Sequence, residues 1–215
     1  MTNSPQMPQA PILPALEELH RSIDRCTVCS SFTQPLVKPP PGMKRGAGRE
    51  IFIIGIAPGN TELKSARAFS GNSGKRLDQW LVASGRPCGD PRSGVYLTSL
   101  LKCAPPHNAP RDFRKMAANC RHFLDEQLNL VKPRLVITLG KESFEYLRLA
   151  PGEYDGQIGI LQVVPATGLI VPQPYSALIH WPHPSGLSRW HNDAANLSRL
   201  NKSFSDIKQF LEEAP

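Results

Sequence analysis

No stretch of this 215-residue chain is apolar for long enough to span a membrane, and its first residues carry no apolar signal core. Both absences point to a cytoplasmic protein with no membrane partner. Internal repeats are missing too, which excludes solenoid and propeller architectures. One glycine-rich turn follows a strand-like run, but no Gly-Lys-Ser/Thr comes after it, so it is not a Walker A phosphate loop. Cysteine is scarce, with five residues in all, and a reducing cytoplasm argues against disulfides among them. Acidic residues are outnumbered, 18 Asp and Glu against 25 Lys and Arg, leaving a net charge of +7. Such a balance favours an anionic partner such as nucleic acid.

What is present reads as one α/β domain. Residues 1–14 carry Pro5, Pro8, Pro11 and Pro14 among polar residues and are expected to form a flexible tail, leaving 15–215 as the domain. The almost wholly apolar runs Glu50–Ile56, Gly94–Leu101, Leu135–Leu139 and Ser176–His180 have the character of buried parallel strands. Between and around them, helical spacing marks Ala15–Asp24, Gly74–Ala83, Arg111–Leu130, Lys141–Leu149 and Ala194–Glu213. Alternating strands and helices predict a three-layer αβα sandwich with a central four-stranded parallel sheet. The Gly- and Pro-rich residues 151–175 are expected to hold a small hairpin or an irregular excursion.

Four of the cysteines fall at Cys26-x2-Cys29 and Cys103-x16-Cys120. Cys26 and Cys29 can chelate one centre from a single turn. Cys103 sits just past a strand-like run and Cys120 within a helix-like one, so such a site exists only once the chain has folded. Four thiolates suit either tetrahedral zinc or a cubane iron–sulfur cluster. Cys88, the fifth, reads as a small buried apolar residue.

In doubly covered parallel sheets, ligands bind beyond the carboxyl ends of the strands. Here those ends bear Gly55-Ile56-Ala57-Pro58-Gly59-Asn60, then Thr98-Ser99 and the loop after Cys103, then Gly140, and lastly His180 to Ser185. The cluster Phe69-Ser70-Gly71-Asn72-Ser73-Gly74 precedes an amphipathic stretch, so Asn72 or Ser73 is a natural helix N-cap. An aromatic before a glycine turn can equally stack on a planar base.

Together, these segments resemble the iron–sulfur branches of the uracil-DNA glycosylase superfamily, families 4 and 5, over about residues 20–212. The likeness rests on Gly55-Ile56-Ala57-Pro58-Gly59, on Phe69-Ser70-Gly71-Asn72-Ser73-Gly74, on Tyr96 through Pro106, on His183-Pro184-Ser185, and on the order of the four cysteines. It implies a uracil-DNA glycosylase-like fold and a structural [4Fe–4S] cluster on Cys26, Cys29, Cys103 and Cys120, with zinc as the alternative. The implied activity is base excision: uracil is flipped out of single- or double-stranded DNA and its N-glycosidic bond is cut by water. His183 matches the histidine that donates to the departing base, and Phe69 the stacking aromatic. The stretch Gly55, Ile56, Ala57 and Gly59 should line the pocket, with Ser99, Asn108 and Ser185 as further base contacts. Leu187 is placed to wedge into the duplex. Lys44, Arg45, Arg111, Arg114 and Arg189 are candidate phosphate contacts.

The departures are informative. Family 4 has an acidic residue where this chain has Ile56, family 5 an aspartate where it has Asn72, and family 4 reads uracil with an asparagine where it has Ser99. Asn72 can orient a water but cannot act as a strong base. The Cys103-to-Asn108 run looks closer to family 5. The expected protein is thus an atypical monomeric glycosylase, bacterial and nucleoid-associated through DNA. A non-catalytic binder of uracil or abasic DNA, a glycosylase of broader specificity for deaminated bases, and a zinc enzyme acting on a small phosphorylated ligand are the alternatives.

Overall fold

The computed structural model describes residues 12–30, 36–43, 45–46, 48–105, 113–147, 153–164, 174–186 and 188–213. At its centre β1 (Ile51–Gly55) pairs in parallel with β2 (Val95–Ser99) on one side and β3 (Leu135–Leu139) on the other; β3 pairs in turn with β5 (Ala177–Trp181). Alternation along β1 explains the layering. Ile51 and Ile53 face a core built with α3 (Asn72–Ala83) and α7 (Ala194–Glu212), through Leu77, Trp80, Leu81, Leu200, Phe204 and Ile207. Phe52 and Ile54 face the opposite core, built with α1 (Ile12–Arg25) and α4 (Phe113–Val131), through Leu16, Leu19, Ile23, Phe123, Leu124 and Leu128. Because both faces are covered, the strands read as unbroken apolar runs instead of alternating ones. The αβα sandwich is as expected from the sequence.

Two expectations need correction. The sheet has five strands, in the order β2-β1-β3-β5-β4, not four. The extra one, β4 (Gln162–Val163), pairs antiparallel with β5 and lies inside 151–175, the stretch expected to hold a small hairpin or an irregular excursion. Two residues, one exposed and one half-buried, leave no apolar run to detect. Helix α1 begins at Ile12, inside the expected tail, because Leu16, Leu19 and Ile23 form a buried stripe. Pro14 does not block it, since first-turn N–H groups have no intrahelical acceptor to lose. Two short helices, α2 (Asn60–Ser65) and α6 (Tyr154–Gln157), bury no residue and so leave no periodic signal. Helix α5 spans Lys141–Leu147. Among the described residues no helix is long and apolar enough to cross a membrane.

Two histidines sit neutral in this framework. Burial holds His180 down to about 4, with Nδ1 against the Thr138 hydroxyl at 2.5 Å. Burial also holds His20 to about 4, and the nearby Arg45 charge adds to it; its Nε2 lies 2.6 Å from the Tyr96 hydroxyl. Both folded-state values lie below the ordinary 6.5, so the unfolded chain binds more protons between pH 6.5 and about 4. Stability is therefore full above 6.5 and is lost as pH falls toward 4. Urea midpoints measured from pH 7.5 to 5 should fall steadily below 6.5, and H20N should shallow that slope.

Candidate base pocket

Beyond the carboxyl ends of β1 and β2 lies a cavity of about 240 Å³. Its walls include Arg45, Ala57, Gly59, Phe69, Asn72, Ser99 and His183, which brings seven of the sequence-predicted residues together. Gly55 and Ile56 stand behind it instead of lining it. The Phe69 ring points its tip at Gly55, where a Cβ would come within 2.6 Å of Cζ. The Ile56 side chain packs toward Gly140 and His183, its Cδ1 3.3 Å from where a Gly140 Cβ would stand. Ser185 supports the histidine loop from outside the cavity. Lys44, Asn108, Arg111 and Leu187 lie outside the described residues.

His183 follows β5, and its ring is set by its own loop. The Ser185 backbone N–H donates to Nδ1 at 3.2 Å, which leaves the ring proton on Nε2. Burial pushes the His183 pKa below its ordinary value, against a smaller upward pull from Glu142. The loop is fastened twice more: His191 Nε2 donates to the His183 carbonyl at 3.2 Å, and Arg76 to the Ser185 carbonyl at 3.3 Å. The outcome is a neutral imidazole presenting one N–H donor on the cavity wall.

Phe69 is held in a left-handed conformation, φ +50°. Such a backbone is uncommon for a bulky residue and persists where its surroundings impose it. Arg92 imposes it here, donating to the Ala68 carbonyl at 2.9 Å and the Phe69 carbonyl at 2.6 Å while paired with Asp78. Glu62 braces the same turn from the other side. Its carboxylate accepts from the backbone N–H groups of Gly59 (3.0 Å), Ser70 (2.8 Å) and Gly71 (3.2 Å), tying both loops of the pocket together. Sequence reasoning missed Glu62 and Arg92. A glutamate three residues after a glycine helix start was the available signal for the first.

Asn72 is the first residue of α3 and exposed, with Gly71 as the N-cap, correcting the expectation that Asn72 or Ser73 caps the helix. Ser99 donates its hydroxyl to the Leu101 carbonyl at 2.6 Å, so toward the cavity it presents acceptor lone pairs only. Arg45 is the largest correction. Expected on the surface as a phosphate contact, it is only 5% exposed and lines the cavity. Arg189 is exposed on the short 3-10 turn Arg189–Asn192, and Arg114 is exposed near the start of α4, as phosphate contacts require.

A second cavity of about 180 Å³ lies on the α1–α4 side. Cys26, Cys29, Cys103 and Cys120 all line it, together with the apolar Ile23, Leu36, Leu101, Met116 and Phe123. Burial and the neighbouring thiols push Cys103 up to about 11, and burial raises Cys120 as well. Were all four ionised, the thiolates would need positive charge beside them, which a bound metal centre would supply. The Asn119 side-chain amide donates to Cys29 Sγ at 3.4 Å, and the Lys102 backbone N–H points at Cys120. Donors to sulfur of this kind are what a metal–thiolate group requires. Among the described residues no three Cys, His, Asp or Glu side chains close on a point a single ion could occupy. Cys88 is exposed and remote from this cavity, against the expectation that it is buried.

A mostly parallel αβα sandwich with an open cavity of about 240 Å³ at its strand ends and a buried histidine on the wall defines an α/β protein with a candidate small-molecule site. The sequence pattern of the Uracil DNA glycosylase superfamily matches residues 44–213, and the chain belongs to that superfamily. It is 31% identical over 140 residues to the Type-4 uracil-DNA glycosylase of Sulfurisphaera tokodaii, covering 65% of this chain and 60% of that one. To the Type-4 uracil-DNA glycosylase of Pyrobaculum aerophilum it is 32% identical over 146 residues, 67% of this chain and 70% of the relative. The Type-5 uracil-DNA glycosylase of the same organism is 31% identical over 152 residues, 64% of this chain and 62% of the relative. The match thus spans roughly 60–70% of the length of these relatives.

Proposed function

We propose that the protein is a monomeric DNA-repair glycosylase that excises uracil from single- or double-stranded DNA and leaves an abasic site. The observation carrying this reading is His183, neutral and with its free N–H on the wall of a cavity sized for one base. Cleaving the bond between the sugar C1′ and the base N1 sends the electron pair onto the base while the sugar becomes cationic. The barrier falls when donors face the oxygens on which that charge develops. His183 supplies such a donor, and a neutral imidazole gives up no proton in doing so. Phe69, pinned by Arg92, offers the base a stacking face, and the Glu62 brace keeps the two loops at a fixed separation. Water then attacks C1′, with Asn72 at the cavity mouth and Asn108 as the candidates to orient it. Exposed Lys64, Arg67 and Lys75 on the segments that form the mouth join Arg114 and Arg189 as phosphate contacts, with Lys44 and the Leu187 wedge completing the DNA surface.

Cys26, Cys29, Cys103 and Cys120 would hold a structural [4Fe–4S] cluster. Thiols that surround a cavity without closing on one point suit a multi-iron cluster better than a single zinc ion. Such a group would fasten the end of α1 to the turn after β2 and to α4, in a cavity separate from the candidate base site but sharing Lys102 with it.

Incubating the protein with a uracil-containing oligonucleotide and treating the product with alkali tests the activity. Strand scission confined to uracil-containing substrate is the expected result. Tight binding to that DNA with no scission would replace the glycosylase reading with that of a non-catalytic binder.

A further inference from the structure

Arg45 and Lys102 are both buried, 5% and 4% exposed, and both line the base pocket. Neither stands within ion-pair distance of a carboxylate among the described residues. Asp24, whose charge acts on Arg45, accepts from the Gly42 N–H at 2.8 Å. A buried guanidinium without an anionic partner is strongly destabilising, so the retention of Arg45 beside a cavity points to a ligand that supplies negative charge. Lys102 is committed: its Nζ donates to the Thr98 hydroxyl, the Ser99 carbonyl and the Gln127 side-chain oxygen at 2.9, 2.6 and 2.7 Å. The Arg45 guanidinium has five N–H donors, and the acceptor the structure gives it is the Met43 carbonyl at 3.1 Å.

The topology says which side of the base Arg45 would face. Its carbonyl accepts from Leu97 N–H at 2.7 Å, laying the Arg45 segment along the outer edge of β2. His183 follows β5, with β1 and β3 between, so the two donors come from opposite flanks of the cavity. Uracil carries its two carbonyl oxygens on opposite sides of N3. When the C1′–N1 bond breaks heterolytically, the electron pair from N1 spreads onto both oxygens, while water forms the new bond to C1′ and releases its proton to solvent. With Ser99 presenting only acceptors, the cavity needs another donor for the oxygen distant from His183.

We propose that Arg45 is that donor: opposite His183, it binds the far carbonyl of the base and stabilises the negative charge arriving there as the glycosidic bond breaks. This rests on the uracil-excision reading and adds to it a charged group where a neutral amide would have read the base. It also predicts that Arg45 acts mainly on leaving-group charge, not on affinity for DNA.

Single-turnover excision by the full, cofactor-loaded chain, on oligonucleotides carrying uracil or 5-fluorouracil, tests the role. Fluorine withdraws charge and makes the base a better leaving group, so a group that stabilises leaving-group charge matters less to it. R45M should slow uracil excision by about 30-fold and 5-fluorouracil excision by less than about 5-fold. R45K, which keeps a cation, should lie within about 5-fold of wild type on uracil. An R45M rate within about 3-fold of wild type would overturn the proposal. Equal losses on both bases would overturn it as well, because a merely structural role removes activity without regard to the leaving group. Should R45M not fold, R45K and R45Q give the same contrast, and R45K as slow as R45Q overturns the charge role. Wild-type protein that excises neither base would sink the uracil-excision reading itself, an outcome distinct from these.

Discussion

Replacing His183 by alanine is expected to lower single-turnover uracil excision by about 10²–10³-fold while changing DNA affinity little. The size follows from losing one oriented donor to an oxygen that becomes charged only as the bond breaks. A contact made chiefly in the transition state lowers the rate constant and leaves the ground-state complex almost untouched. H183Q, which keeps a side-chain N–H, should recover part of the loss, whereas H183A should not be rescued by raising substrate concentration. The pH profile provides an independent reading. Burial holds the imidazole pKa below its ordinary value, and the Ser185 N–H donates to Nδ1. The wild-type rate should stay level as pH falls from 8 toward 6.5. It should drop only further down, once pH passes below the lowered His183 pKa, because a proton on Nδ1 displaces the backbone donor that sets the ring. A rate that rises with acidity would mean that His183 works as an imidazolium and would contradict the tautomer drawn from this geometry.

Such an outcome would also bear on how much the sequence can say. The four long strands were legible because each is buried on both faces and thus continuously apolar; β4, two residues at the sheet edge, had nothing to show. His183, Phe69 and Asn72 were legible because the turns that carry them have a recognisable residue order. Arg45 was not. In sequence it is one cation among several in a loop rich in proline and glycine, and such a loop reads as solvated. Only its pairing with Leu97 along the β2 edge turns it inward, and that contact joins residues 52 apart, 45 and 97, with no periodic trace. Glu62 was hidden for a related reason. Its function is to bind three backbone N–H groups from two loops, and backbone donors leave no mark on the side-chain pattern. The cysteines are the reverse case: residue type alone announced a site, and folding supplied only the proof that four distant thiols line one cavity.

Replacing Cys120 by serine should be the most damaging single change to stability. Structural metal sites contribute apparent binding energies of about 10–16 kcal/mol to folding in small zinc peptides. Losing even about 4 kcal/mol of such a term, at 2–4 °C per kcal/mol for a domain of this size, lowers Tm by about 8–16 °C. C88S supplies the control, since Cys88 is exposed and away from the cavity; its Tm and colour should match wild type. Damage from C120S should also travel in a particular direction. Cys120 receives the Lys102 backbone N–H, and the Lys102 side chain fixes the Ser99 carbonyl on the wall of the base pocket. Lys102 lines both cavities, so a shift of the turn that carries it moves a wall of each. At a temperature where C120S is still folded, by near-ultraviolet circular dichroism, excision should therefore be slowed beyond what the folded fraction explains. A C120S protein with wild-type excision per folded molecule would show that the cysteine centre serves stability alone. A disproportionate loss would make Lys102 the strut through which the cysteine centre holds the pocket in shape.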